Sequence, residues 1–149
     1  MDNQKLVNYL NQLLSNQFVM YVKLHRYHWY IQGSHFFQLH DLFEEMYDEF
    51  AKQLDETAER LLMIRGKPLA TMASYLKVAS LVEASADNTE EEMMTQLLSD
   101  LNQLISEIRD LGLPLANDGQ DEVTIDTLIG FQRYYEKMQW MLQAYLHQL

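Results

Sequence analysis

The sequence predicts an all-α protein: four long helices packed as a bundle, with a short extra helix in the connection between the second and third. Three observations carry this. Four stretches repeat apolar residues at three- and four-residue steps, the period of one helix face. Glycine, proline or polar clusters punctuate them, and no β-patterned run, internal repeat or low-complexity segment of note interrupts the series. The connection between the second and third stretches is about twenty residues, the long crossover that some four-helix bundles carry. With 149 residues, residues 1–149 read as a single domain with a real core.

In order, Leu6, Leu10, Leu13, Met20, Leu24 and Ile31 define a first helix from Asn3 to Ile31, stopped by Gly33. Near its end His25 and His28 stand at i,i+3. Such a pair can chelate a metal or simply pack. The second helix runs from about Ser34 to Arg65 without proline or glycine and stops at Arg65–Gly66–Lys67–Pro68. Its apolar stripe is Leu39, Phe43, Met46, Phe50, Leu54, Thr57 and Leu61. Met72, Tyr75, Leu76 and Val78 mark the short helix of the crossover. Asn88 or Thr89 caps the third helix, with Glu92 completing a capping box after Thr89. That helix carries Met94, Leu97, Leu101, Leu104, Ile108 and Leu111 and is expected to end at Gly112 and Pro114. A polar loop, Ala116–Val123, leads to a fourth helix with Leu128, Phe131, Tyr135, Met138, Leu142, Tyr145 and Leu149, expected to reach the C-terminus.

Composition removes several function classes. No apolar run approaches the roughly 18 residues of a membrane span, and MDNQKLVNYL lacks the basic region and apolar core of a secretion signal. Zero cysteines exclude disulfides, thiolate zinc sites and cysteine nucleophiles, and suit a cytoplasmic protein. A net charge of −11 disfavours nucleic acid and anionic membranes and favours cations.

The second helix has a second, polar face. His40 and Glu44, and then Asp55 and Glu59, form two i,i+4 pairs of potential metal ligands offset by fifteen residues, with Glu44 and Asp55 eleven apart. Eleven residues at about 100° each fall within roughly 20° of three full turns, so both pairs share one face, roughly 120° from the apolar stripe. Glu44 and Asp55 are nevertheless ~16 Å apart and His40 and Glu59 nearly ~30 Å apart at about 1.5 Å per residue. Ligands stand about 2 Å from an iron or zinc ion, so one chain cannot close a site from both pairs. Two antiparallel copies can. The pairs are symmetric about a point between Glu49 and Phe50, so a two-fold axis there sets His40 against Glu59 and Glu44 against Asp55. Ala51 and Ala58 leave room for the partner's approach. The Glu-x-x-His motif of di-iron sites buried inside a bundle is absent.

These residues carry a resemblance. His28-x11-His40-x3-Glu44-x10-Asp55-x3-Glu59, framed by His28–Trp29 and by Asp55-Glu56-x-Ala58-Glu59-Arg60, resembles the ferroxidase signature of the Dps family, the DNA-protection-during-starvation mini-ferritins. Asp121-Glu122-Val123-Thr124-x-Asp126 and the Trp140–Met141 region extend the similarity along almost the whole chain. The resemblance implies a ferritin-like four-helix bundle assembled as a hollow dodecamer of two-fold dimers. It implies a ferroxidase that oxidises Fe(II), with hydrogen peroxide in preference to oxygen, and stores ferric oxide inside, protecting the cell and its DNA. The implied ligands are His28, His40 and Glu44 of one subunit with Asp55 and Glu59 of its two-fold mate, holding two irons per site; zinc or other divalent metals can substitute. His28 enters through the resemblance alone.

Two departures stand out. The family commonly has aspartate where this chain has Glu44, which alters the reach to the second iron. DNA-binding members often carry a lysine-rich terminal tail, whereas only Lys5 is expected before the first helix, so strong direct DNA binding is not expected. Trp29 is an electron donor or radical sink beside His28, or else packs at the interface. Asp121, Glu122 and Asp126 line a three-fold entry pore for Fe(II), or else serve the dipole of the following helix. The alternative to a ferroxidase is a non-catalytic metal-binding or DNA-compacting shell.

Overall fold

The computed structural model describes residues 3–85 and 89–149, and its described residues contain helices and no strands. Helix α1 spans Gln4–Tyr30, α2 Phe36–Met63, α3 Met72–Val78, α4 Glu90–Glu107, α5 Leu113–Asp118 and α6 Glu122–Tyr145, with a π-helical turn, Ile108–Gly112, between α4 and α5. Helices α1, α2, α4 and α6 make the bundle. The most extensive pairings join α1 to α2 and α4 to α6, and α3 lies in the crossover against α1. Among the described residues no helix is long and apolar enough to cross a membrane.

The predicted stripes become the core. Leu10, Leu13, Met20 and Leu24 of α1 meet Phe43, Met46, Phe50 and Leu61 of α2, Leu97, Leu101 and Leu104 of α4, and Leu128, Tyr135 and Leu142 of α6. A buried polar ring sits among them. Thr57 donates to Gln17 Oε1 at 2.8 Å, Gln17 Nε2 donates to the Tyr135 hydroxyl, and that hydroxyl donates to Gln53 Oε1 at 2.5 Å. The buried α2 position is therefore Gln53 rather than the expected Leu54, which is only partly covered. Satisfied within the ring, these groups escape the cost of bare polar burial.

Helix ends follow local chemistry. The α1–α2 turn needs Gly33, whose φ of +127° lies where side chains are strained, and whose added Cβ would stand 2.6 Å from Glu90 Oε1. That Glu90 carboxylate ties three elements, accepting from the His35 main-chain N–H at 3.0 Å and the Tyr145 hydroxyl at 3.0 Å, with His35 Nδ1 at 2.9 Å. Helix α2 ends with Arg65 in the left-handed region (φ 68°) and the Gly66 N–H on the Leu61 carbonyl. Thr89 caps α4 by accepting from the Glu92 N–H at 3.1 Å, and Asn88 lies outside the described residues.

Several expectations are corrected. The third helix does not stop at Gly112 and Pro114: it widens into the π turn, with the Leu113 N–H on the Ile108 carbonyl, and continues as α5. Proline lacks an N–H and clashes with a carbonyl four residues back, and the wider winding accommodates both. The change of phase leaves Leu111 46% exposed rather than buried. The polar loop shrinks accordingly, because Ala116–Asp118 are helical and Glu122 already begins α6. At the C-terminus α6 ends at Tyr145, with Leu149 exposed. Of the residues of α3, only Tyr75 is buried, and Met72 and Leu76 are exposed. Lys5 lies within α1 rather than before it.

Candidate metal centre

Helices α1 and α2 meet through two histidines. His28, on the last turn of α1, and His40, on the second turn of α2, stack with ring centroids 3.6 Å apart and 13° between planes. His28 Nδ1 stands 2.7 Å from the His40 carbonyl, and His40 Nδ1 stands 2.7 Å from the His28 carbonyl. A carbonyl only accepts, so each Nδ1 carries the proton when the ring is neutral. Each Nε2 then keeps a lone pair for a metal. The buried His28 and half-buried His40 are thereby fixed in tautomer and orientation before any metal arrives.

Glu44 lies one turn beyond His40, its Oε1 3.8 Å from His28 Nε2 and its side chain 55% exposed. The same Oε1 accepts from the Tyr47 hydroxyl at 3.3 Å. Desolvation, then the Glu44 charge and hydrogen bond, raise the Tyr47 pKa and keep the phenol protonated. Tyr47 in turn stacks on His25, 3.7 Å between centroids. His25 therefore belongs to an aromatic layer behind the site, with its Nδ1 on the Tyr21 carbonyl at 2.7 Å.

Of the predicted ligands, the fold brings His28, His40 and Glu44 together at one end of α2. Asp55 and Glu59 lie farther along the same helix and are exposed, as the helical phase requires of a face turned from the core. Among the described residues of one chain, no three His, Asp or Glu side chains are arranged to hold a metal ion. Trp29 is 68% exposed, and its ring stands edge-on to His25 at 5.5 Å.

The acids before α6 divide. Asp121 caps α6, accepting from the Thr124 N–H at 3.0 Å and the Thr124 hydroxyl at 2.5 Å, and it pairs with Arg60 at 2.9 Å. Burial pushes its pKa up, but the Thr124 bonds and Arg60 outweigh burial and lower it. Glu122 and Asp126 are exposed. Asp126 is among the charges that, after desolvation and Glu49, raise the pKa of Glu56.

The sequence did not single out Tyr47, although its i+3 spacing from Glu44 is the spacing of a hydrogen-bonded pair on a helix surface. The reciprocal histidine lock had no sequence signal, because its acceptors are main-chain carbonyls.

Comparison with known proteins agrees with this architecture. Residues 7–149 match the family described as Ferritin-like domain. The chain is 44% identical to general stress protein 20U of Bacillus subtilis over 97% of this chain and 99% of that one. It is 41% identical to DNA protection during starvation protein 2 of Bacillus anthracis over 98% and 99% of the two chains. Its backbone superposes on a crystal structure of a Dps protein from Bacillus brevis with a TM-score of 0.94, at 38% identity, covering 98% of this chain and 99% of that chain. A Dps protein from Vibrio cholerae O1, described as a member of a broad superfamily of ferritin-like diiron-carboxylate proteins, gives 0.92 at 39% identity, covering 97% and 90%. With the four-helix bundle, its long crossover and these relatives in agreement over nearly its whole length, the chain belongs to the Dps family of ferritin-like proteins.

Proposed function

We propose that this chain is an iron-storing ferroxidase of the cytoplasm. It oxidises Fe(II) with hydrogen peroxide, less well with oxygen, at sites shared by two subunits, and keeps the ferric oxide inside a hollow dodecamer. Each site takes His28, His40 and Glu44 from one subunit and Asp55 and Glu59 from the other, and it binds two Fe(II) as substrate. The observation that carries this reading is the reciprocal lock of His28 and His40, which holds both Nδ1 on main-chain carbonyls and so leaves both Nε2 lone pairs for metal, with His28 Nε2 3.8 Å from Glu44 Oε1. Imidazole and carboxylate are ligands suited to Fe(II).

The chemistry follows from holding two irons close together. Peroxide takes one electron from each, its O–O bond breaks, and with two protons both oxygens leave as water while two Fe(III) remain. Supplying both electrons in one encounter avoids the one-electron step that releases hydroxyl radical. Trp29 is assigned as an electron donor or radical sink beside the site. Glu122 and Asp126 are assigned to an acidic entry path for Fe(II), and Asp121 contributes there by capping α6 rather than as a free charge.

The deciding experiment adds Fe(II) anaerobically to the apoprotein, then peroxide, while following Fe(III) absorbance and trapped hydroxyl radical. Fast oxidation at two Fe(II) per peroxide, lost in a His40→Ala, Asp55→Ala double variant, is the expected result. Oxidation no faster than in buffer, or unchanged in the variant, would leave a shell that binds metal or DNA without turnover.

A further inference from the structure

Glu44 is the loosest of the three candidate ligands that α1 and the start of α2 bring together. His28 and His40 are fixed by each other's main chain, whereas the Glu44 side chain is 55% exposed. A glutamate also has one more rotatable bond than an aspartate, and ordering it around a metal costs rotamer entropy. One hydrogen bond restrains it. Among the described residues, the single donor to its carboxylate is the Tyr47 hydroxyl, which meets Oε1 at 3.3 Å.

Tyr47 is itself firmly held. Its ring lies flat on His25, 3.7 Å between centroids and 17° between planes. It stands edge-on to Tyr21 at 6.0 Å and to His28 at 5.4 Å. His25 is anchored in turn, with its Nδ1 2.7 Å from the Tyr21 carbonyl. Packing accounts for the ring. It does not account for the hydroxyl, which on a half-buried residue water would serve as well. The hydroxyl instead meets the same Glu44 oxygen that lies 3.8 Å from His28 Nε2.

We propose that Tyr47 is a positioning residue for the metal bound by His28 and Glu44. Its hydroxyl occupies one lone pair of Oε1 and passes the rigidity of the aromatic layer to a flexible carboxylate. Glu44 then waits beside His28 Nε2 with its remaining lone pairs free for Fe(II), and less ordering is left to be done when the metal arrives. Tyr47 thus sets how tightly one of the two metal positions fills, without touching the metal. The inference rests on the shared-site reading above.

The test titrates assembled apoprotein with Co(II), followed by its visible absorption, in wild type, Tyr47→Phe, Glu44→Ala and the double variant. Tyr47→Phe keeps the ring stack. It is expected to bind one Co(II) per site as wild type does and the other ~10–100-fold more weakly, the usual cost of losing a hydrogen bond to a metal ligand. The Co(II) that still binds Glu44→Ala is expected to bind the double variant equally well, because the hydroxyl acts only through Glu44. A role in packing His28 would instead weaken binding in both backgrounds. Wild-type affinity at both positions of Tyr47→Phe overturns the proposal, as does a further loss in the double variant. If wild type fails to bind two Co(II) per site, or if His40→Ala binds as wild type does, the shared-site reading falls and the proposal with it. Should Tyr47→Phe fail to assemble, 4-methylphenylalanine at position 47 fills the hydroxyl's volume and donates nothing. The same selective loss then supports the proposal, and wild-type affinity overturns it.

Discussion

His28 and His40 hold each other by their main chains: each Nδ1 lies 2.7 Å from the other's carbonyl oxygen, across the α1–α2 interface. The lock turns two residues twelve positions apart into one preset pair. Because each acceptor is main chain, replacing one imidazole leaves the other's hydrogen bond in place. His40→Ala should therefore remove a ligand without releasing His28. Loss of even an outer-shell partner costs ~10–100-fold in metal affinity, and direct ligand loss should cost at least the upper end of that range. Cobalt(II) titration followed by its visible absorption measures the effect. Unchanged affinity would remove His40 from the site.

A site shared across a two-fold axis makes a prediction that one confined to a single chain does not. His40→Ala and Glu59→Ala should each be inactive alone. In a mixed dimer both lesions fall in one site, and the other site keeps His40 of one chain with Glu59 of its partner. Random coexpression should then restore about a quarter of wild-type sites, since half the dimers are mixed and each has one intact site. Peroxide-driven iron oxidation by the coexpressed mixture is the measurement. Activity no higher than that of either single variant would place the ligands within one chain.

The contrast between what the sequence revealed and what it hid follows physical range. Helical phase is local, so the separation of His40, Glu44, Asp55 and Glu59 from the Phe43–Phe50 stripe could be read from spacing and is seen in the burial pattern of α2. The Nδ1-to-carbonyl lock depends on how α1 crosses α2, which no spacing reports. Gly112 and Pro114 are ordinary helix stops by local rule, yet the packed neighbours of α4 and α5 carry the helix past them through a π turn. Gln53 in the core was invisible for the same reason, because its partner Tyr135 comes from α6, 82 residues away. Asp121 was legible as an acid before a helix, but Arg60, its ion-pair partner, is 61 residues away.

That ion pair predicts an acid-sensitive contribution to stability. The folded Asp121 pKa lies below its ordinary 3.8, so the unfolded chain binds this proton first as pH falls. The contribution is full above about pH 5 and disappears as pH falls through 3.8 and then through the lower folded value. Asp121→Asn keeps a capping oxygen but loses the charge, so it should be less stable than wild type near neutrality, with the two converging in acid. Urea midpoints measured across that pH range, at fixed protein concentration, test the sign. A difference that grows toward low pH would refute it.

Gly112 has a packing role that its position within a helical run conceals. A Cβ built there would stand 2.6 Å from Tyr9 Cε2 and 2.9 Å from the Tyr9 hydroxyl oxygen, on an α1 ring that is itself buried. Helix propensity alone favours alanine over glycine by about 1 kcal/mol. Overpacking of a filled site costs ~1–3 kcal/mol, so Gly112→Ala should be neutral to destabilising rather than stabilising. Tyr9→Leu removes the far end of the ring, and in that background Gly112→Ala should gain stability as propensity reasserts itself. The four proteins form a double-mutant cycle read by urea midpoint, and the two positions are in contact, so a coupling of ~0.5–3 kcal/mol is expected. Tyr9→Phe adds an independent check. The Tyr9 hydroxyl is buried with no hydrogen-bond partner among the described residues, so its deletion should leave the protein as stable as wild type or more so. Additivity across the cycle would show that the Gly112–Tyr9 approach does not constrain the turn.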